Sequence, residues 1–154
     1  MIIKASGRSS SFGRCMATFT QLQQEPSNGS SANQPNQIQS FDEPEEHNYP
    51  AALSYLRLLY PDLEANRLVD QLRAADMVSF KAKDIFRASG LSLLGVSNSH
   101  VSKNDDKIHN EVSLSPLLLV RSRIRDSVIV ADGYHRLCAV YRHNEDAWIP
   151  CKIT

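Results

Sequence analysis

The residues with the clearest chemical potential lie in one short segment, DGYHR at positions 132–136. A β-branched run at residues 128–130 precedes it, and a helix-like pattern covers residues 134–142. This order predicts a strand, a tight glycine turn and a helix whose first turn carries His135 and Arg136. A helix N-terminus presents unpaired N–H groups and the positive end of the helix dipole. The sequence therefore predicts an anion site, suited to a phosphate group, at this turn.

Simpler explanations exist for each of these residues. Asp132 can be the N-cap of the helix, since Asp is among the preferred capping residues. His135 can pair with carboxylates of its own domain, and Arg136 can be a solvated cation in the first turn of the helix. However, each cation at a helix N-terminus costs about 0.3–1 kcal/mol. Two of them in one turn therefore favour a bound anion or another partner.

The remaining pattern predicts a single α+β domain in which N-terminal helices pack on a small mixed β-sheet. The predicted helices cover residues 50–60, residues 62–75, and a segment that begins after Ser79 and ends at Ser89 before Gly90. The predicted strands cover residues 117–120, 128–130 and 148–153. Pro150 places the last strand at a sheet edge or at a bulge. The polar stretch at residues 96–115 is predicted to be a mobile loop above the turn.

Composition divides the chain into a tail and a domain. Residues 1–48 are mostly Ser, Gln, Asn, Gly and Pro, a composition that predicts a disordered tail. Residues 1–15 are basic and Ser-rich, and are interpreted as a spurious or optional leader. The folded domain is expected to cover residues 49–154.

Charge and cysteine content restrict the function classes. Lys plus Arg and Asp plus Glu number 17 each, so overall charge does not indicate nucleic acid or an anionic membrane. No apolar run has the length of a membrane helix. Three cysteines favour free thiols and a cytoplasmic protein over a disulfide framework. His100 and His109 match no compact ligand spacing, and no structural metal site is predicted.

The order of elements over residues 115–153 resembles the ParB/sulfiredoxin superfamily of nucleotide-binding domains. Its features are an apolar strand after a proline, a hairpin, D-G-x-H-R, a helix, a short acidic loop and a strand containing Ile149-Pro150. The equivalent turn reads G-E-R-R in ParB proteins and G-C-H-R in sulfiredoxins, whereas it reads GYHR at 133–136 here. Tyr134 replaces the sulfiredoxin thiol, which argues against sulfinic-acid reduction. No helix-turn-helix domain follows in this sequence, which argues against centromere binding.

The resemblance implies a role for each residue of the turn. Gly133 would let the backbone approach a phosphate, Tyr134 would line the nucleotide site, and His135 and Arg136 would contact the phosphates. Asp132 matches the acidic residue of the D-G-H-x-R variants, including free serine kinases, where it could accept a proton or help hold Mg²⁺. Asp132 and His135 are thus the candidate catalytic residues.

The expected function is binding of a nucleotide (ATP, ADP or CTP, with Mg²⁺) or another phosphorylated small molecule. An enzyme of this kind would be a phosphotransferase or a phosphodiesterase. The alternative is a non-enzymatic nucleotide-sensing or protein-interaction module.

Overall fold

A computed structural model describes residues 38–154, which form five helices and a four-stranded mixed sheet. The helices are α1 (Asn48–Leu56), α2 (Asp62–Ala74), α3 (Ala82–Ser89), α4 (Ser99–His109) and α5 (Tyr134–His143). The strands are β1 (Met77–Lys81), β2 (Leu117–Ser122), β3 (Ser127–Asp132) and β4 (Trp148–Ile153). The predicted α+β class with N-terminal helices on a small mixed sheet is confirmed.

The sheet has the strand order β1-β4-β2-β3. β2 and β4 are parallel at the centre, and each pairs with an antiparallel edge strand. Successive side chains of a strand point to opposite faces, so the apolar run of β2 supplies buried side chains to both faces of the sheet. Leu118 and Val120 pack with α1 and α2 on one face, whereas Leu117 and Leu119 pack with α3 and α5 on the other. The domain is therefore a three-layer sandwich around a central strand whose first four residues, Leu117–Val120, are buried.

The prediction for residues 96–115 was wrong, because most of this polar stretch forms helix α4. Asn98 caps the helix, and the fully buried Val101 packs with Cys138 and Ala139 of α5. Only a narrow apolar stripe of α4 is buried, which explains why its composition is typical of a loop.

Two further differences concern the sheet. β1 was not predicted, since its five residues are only partly buried and lie between two helical patterns. Pro150 does not mark an edge, because β4 lies between β1 and β2. Pairing of β4 with β2 begins only at Cys151, so Pro150 precedes the part of the strand that needs donors on both sides.

The ordered domain begins earlier than the predicted boundary at residue 48. Gln39 and Phe41 form backbone hydrogen bonds with Leu114 (2.9 Å each). Glu43 forms an ion pair with the buried Lys152 at 2.8 Å, and Glu46 accepts two hydrogen bonds from Arg73. Residues 38–48 thus pack on the domain. The predicted tail at residues 1–37, including the leader at 1–15, lies outside the described residues.

The predicted free thiols are confirmed for Cys138 and Cys151, both of which are buried. Burial raises the pKa of Cys138 and raises that of Cys151 to about 12, so both are protonated and unreactive at neutral pH. Cys15 lies outside the described residues. Within residues 38–154, no helix is both long and apolar enough to cross a membrane.

Candidate anion-binding site

The turn between β3 and α5 is built around Gly133, which is the N-cap of α5. Its φ of 99° lies in the left-handed region, where an L side chain is strained. A Cβ here would lie 2.3 Å from Cδ2 of the buried Leu117. No side chain caps α5, so the interpretation of Asp132 as the helix cap is wrong. The first N–H groups of α5 remain without a side-chain acceptor among residues 38–154.

Asp132 instead forms an ion pair with Arg136, one helical turn further along the chain. Oδ2 of Asp132 lies 2.6 Å from Nη2 of Arg136, and the two side chains are 20% and 16% exposed. The same nitrogen lies 3.4 Å from the carbonyl oxygen of Pro116. Partial burial makes this pair stronger than an ordinary surface ion pair. Arg136 therefore has an internal partner, and its position at a helix N-terminus does not by itself require a bound anion.

A buried amide links this ion pair to α1. Asn48 is 1% exposed. With its amide oxygen facing the available donors, it accepts hydrogen bonds from Oγ of Ser115 and from the Glu45 N–H. Its amide nitrogen then donates to Nε2 of His47 (3.2 Å) and to Oδ2 of Asp132 (3.3 Å). Oδ2 of Asp132 thus accepts hydrogen bonds both from Arg136 of α5 and from Asn48 of α1.

Helices α4 and α5 run parallel, with their N-termini side by side. The rings of His100 and His135, each the second residue of its helix, have centroids 5.0 Å apart. The rings of His109 and His143, each the last residue of its helix, are 6.0 Å apart. Two positive dipole ends therefore lie next to each other, an arrangement that favours a negative charge between them.

The environment of His135 holds this side chain in its neutral form. Burial, and then the neighbouring His100 and Arg136, lower its pKa from the usual value, against a smaller opposing effect of Asp132. At neutral pH His135 can thus donate or accept a hydrogen bond at the turn without adding a full positive charge. An anion at the turn would reverse this shift, because it would stabilise the charged imidazolium.

Tyr134 connects the turn to the segment that precedes α4. Its hydroxyl donates a hydrogen bond to the carbonyl oxygen of Ser92. Burial raises the pKa of Tyr134, so the phenol remains a neutral donor. The side chain therefore links Ser92, in the segment before α4, to the first turn of α5.

The cavities of the domain differ greatly in size and position. One of about 10 Å³ lies beside Arg136, between residues 38–40 and α5, and has room for no more than a water molecule. A groove of about 400 Å³ is lined by Val128, at the opposite end of β3 from Asp132. Neither of these two cavities is lined by Gly133, Tyr134 or His135. Among the described residues, no group of three His, Cys, Asp or Glu side chains could hold a metal ion.

The structure brings all five predicted residues, 132–136, to one turn, but it divides them into two sets. Asp132 and Arg136 bind each other, whereas His135 lies beside His100. Sequence reasoning missed Asn48, which it assigned to the tail, and it placed His100 in a loop. Pro50, which lies in the first turn of α1, was an available signal that the helix begins close to Asn48. No signal in the sequence indicated that α4 lies parallel to α5.

No known protein family, curated protein or solved structure matches the chain.

Proposed function

We propose that this protein binds a phosphate-bearing small molecule, a nucleotide in the first instance, at the N-terminus of α5. The observation that carries the proposal is the pairing of two parallel helices by their positive ends, of which one, α5, has no side-chain cap. A phosphate oxygen placed there would accept from the first N–H groups of α5 and from the ring of His135. The ParB/sulfiredoxin-like motif at residues 132–136 supports the same ligand class.

Arg136 is positioned to assist this binding. Its two hydrogen bonds to protein acceptors both use Nη2, so among the described residues Nη1 has no acceptor and can serve a ligand. The ion pair with Asp132 keeps the guanidinium in place, which reduces the entropy lost when a ligand binds.

Mg²⁺ fits the site only as a companion of the nucleotide. Asp132 is the carboxylate at the turn, and its Oδ2 is already used by Arg136 and Asn48. Mg²⁺ typically takes one or two carboxylates together with phosphate oxygens and water. Oδ1 of Asp132 would supply one such contact, and the phosphates of ATP, ADP or CTP would supply others.

Calorimetric titration of the full chain with ATP, ADP and CTP, with and without Mg²⁺, tests the proposal. We expect at least one nucleotide to bind, and we expect Arg136→Gln to weaken binding by roughly 1.5–3 kcal/mol, about ten- to 150-fold. Arg142→Gln is the matched control, because Arg142 is an exposed arginine in the last turn of the same helix. His135→Ala, which leaves the Asp132 ion pair intact, guards against a folding defect in the Arg136 variant. Equal nucleotide binding by the parent and both site variants would contradict the proposal.

The role of Asp132 distinguishes an enzyme from a nucleotide sensor. A phosphotransferase or phosphodiesterase would use the Asp132 carboxylate as a base or as a Mg²⁺ contact, with His135 as a proton carrier. The non-enzymatic alternative is favoured by the contacts of Asp132 with Arg136 and Asn48, both of which use Oδ2 of the carboxylate. Asp132→Asn keeps the shape but removes the charge. Loss of Mg²⁺-dependent nucleotide turnover in this variant would support the enzyme, whereas a parent that binds nucleotide without turnover would support the sensor.

A further inference from the structure

A groove lies at the far end of the sheet from the β3–α5 turn. The groove of about 400 Å³ is open to solvent between α3 and the sheet surface. Its apolar lining comes from all four strands and from α3: Phe80, Ile85, Leu119, Val128 and Ile153. α5 packs near the other end of this sheet face, where Leu117 and Cys151 lie. The end near Val128 therefore has no helix of residues 38–154 over it except α3.

The groove has a buried floor and an accessible rim. Ile85 and Leu119 are 2% and 1% exposed, whereas Phe80 is 36% exposed. Val128 and Ile153 are half-buried. Pockets of this size and apolar character are typical of small-molecule sites, which combine hydrophobic walls with a few polar groups.

The charge at the groove is uneven. Its lining contains two arginines, Arg87 and Arg121, and one carboxylate, Asp84. Asp84 is already paired with Arg87 at 2.9 Å. Arg121 follows Leu119 on the same face of β2 and forms no ion pair with any described residue. One positive charge at the rim of the groove is thus uncompensated.

We infer that this groove binds a small molecule with an apolar body and a single carboxylate group. The apolar body would cover Phe80, Val128 and the buried floor, since removing such surface from water is favourable. The carboxylate would lie at the rim against the guanidinium of Arg121, whose planar fork matches its two oxygens. This site and the α5 N-terminus lie at opposite ends of β3, so each can be tested without the other.

The test uses octanoate as the probe and 1-octanol as its uncharged counterpart, with binding to the full chain followed by amide chemical shifts. We expect octanoate to shift amides of α3 and of the Val128 end of β3, and not those of residues 134–136. Arg121→Gln should weaken octanoate binding about three- to fivefold, the range for an exposed ion pair, and should leave octanol binding unchanged. Arg123→Gln is the control, because Arg123 is also exposed, follows β2 in the β2–β3 turn and lies outside the groove lining.

A second variant tests the apolar part of the site. Val128→Glu places a carboxylate in the groove and should abolish binding of both probes. Absence of octanoate binding, or equal octanoate affinity in the parent and in Arg121→Gln, would overturn the inference. Sedimentation then identifies the occupant: a dimer that Val128→Glu dissociates would assign the groove to a second copy of the chain instead.

Discussion

Helices α4 and α5 begin side by side, but their first turns are completed in different ways. At α4, the side chain of Asn98 accepts hydrogen bonds from the N–H groups of His100 (3.0 Å) and Val101 (3.3 Å). At α5, the N-cap is Gly133, which has no side chain to offer. The N-terminus of α4 is thus satisfied within the protein, whereas that of α5 is left for solvent or a ligand.

The difference follows from packing and not from local preference. A capping Asp, Asn or Ser at position 133 would need a Cβ where the side chain of Leu117 already lies. The preceding Asp132 is directed to Arg136 and Asn48 instead. The tight packing at Gly133 therefore excludes a side-chain cap at α5. Helices α1, α2 and α3 also lack one, and α5 differs from them in that its N-terminus lies beside that of α4.

The strongest test of this comparison is to add a single methyl group at Gly133, at the N-terminus of α5. Gly133→Ala combines a left-handed φ with a 2.3 Å overlap against Leu117, and we expect it to lower the free energy of unfolding by about 3 kcal/mol. Urea denaturation monitored by circular dichroism measures the change. Gly90→Ala is the matched control, since Gly90 also has a positive φ (64°) but nothing within 4 Å of its Cβ position. If Gly133→Ala lowers the free energy of unfolding no more than Gly90→Ala does, the side chain of Leu117 does not exclude a Cβ at position 133.

Removing the Asn98 cap at the N-terminus of α4 should have a smaller effect, and only on stability. Asn98→Ala deletes the acceptor for two N–H groups and should cost about 1 kcal/mol. Asn98→Gly should cost only a few tenths of that amount, because Gly is tolerated at the N-cap. Neither variant should change nucleotide affinity, which titration of the folded variants will show. A large loss of nucleotide affinity would place the ligand at the N-terminus of α4 and would contradict the proposed site at α5.

The smallest expected effect is the pH dependence due to His135. Its pKa is lower in the folded protein than in the unfolded chain, so the unfolded state binds more protons as the pH falls through about 6.5. The parent should therefore lose stability between pH 7 and pH 5.5, and His135→Gln should lose less over the same range. Nuclear magnetic resonance titration of the His135 ring should show its pKa rising when a nucleotide binds. An unchanged ring pKa in the bound state would place the anion away from His135.

Local patterns in the sequence were sufficient to predict most of the helices and strands. β4 was predicted with its observed bounds, and the helix at α5 was predicted to within one residue of its observed end. α2 and α3 were predicted nearly as well. These segments have strong periodicity and clear ends, such as the αL residue Gly90 after α3, so local preference and tertiary packing agree there. The motif at residues 132–136 was likewise located correctly as a strand-turn-helix junction.

Only the tertiary structure decided how these elements meet. α4 buries little apolar surface beyond Val101, so its identity as a helix depends on the facing surface of α5. The pairing of Asp132 with Arg136 and Asn48 joins groups from β3, α5 and α1, and a sequence pattern does not specify which acceptor a side chain selects. Residues 38–48 have a tail-like composition, yet they are ordered by Leu114, Lys152 and Arg73. In each case the deciding contact is made by residues distant in the chain, and local propensity carries no information about such partners.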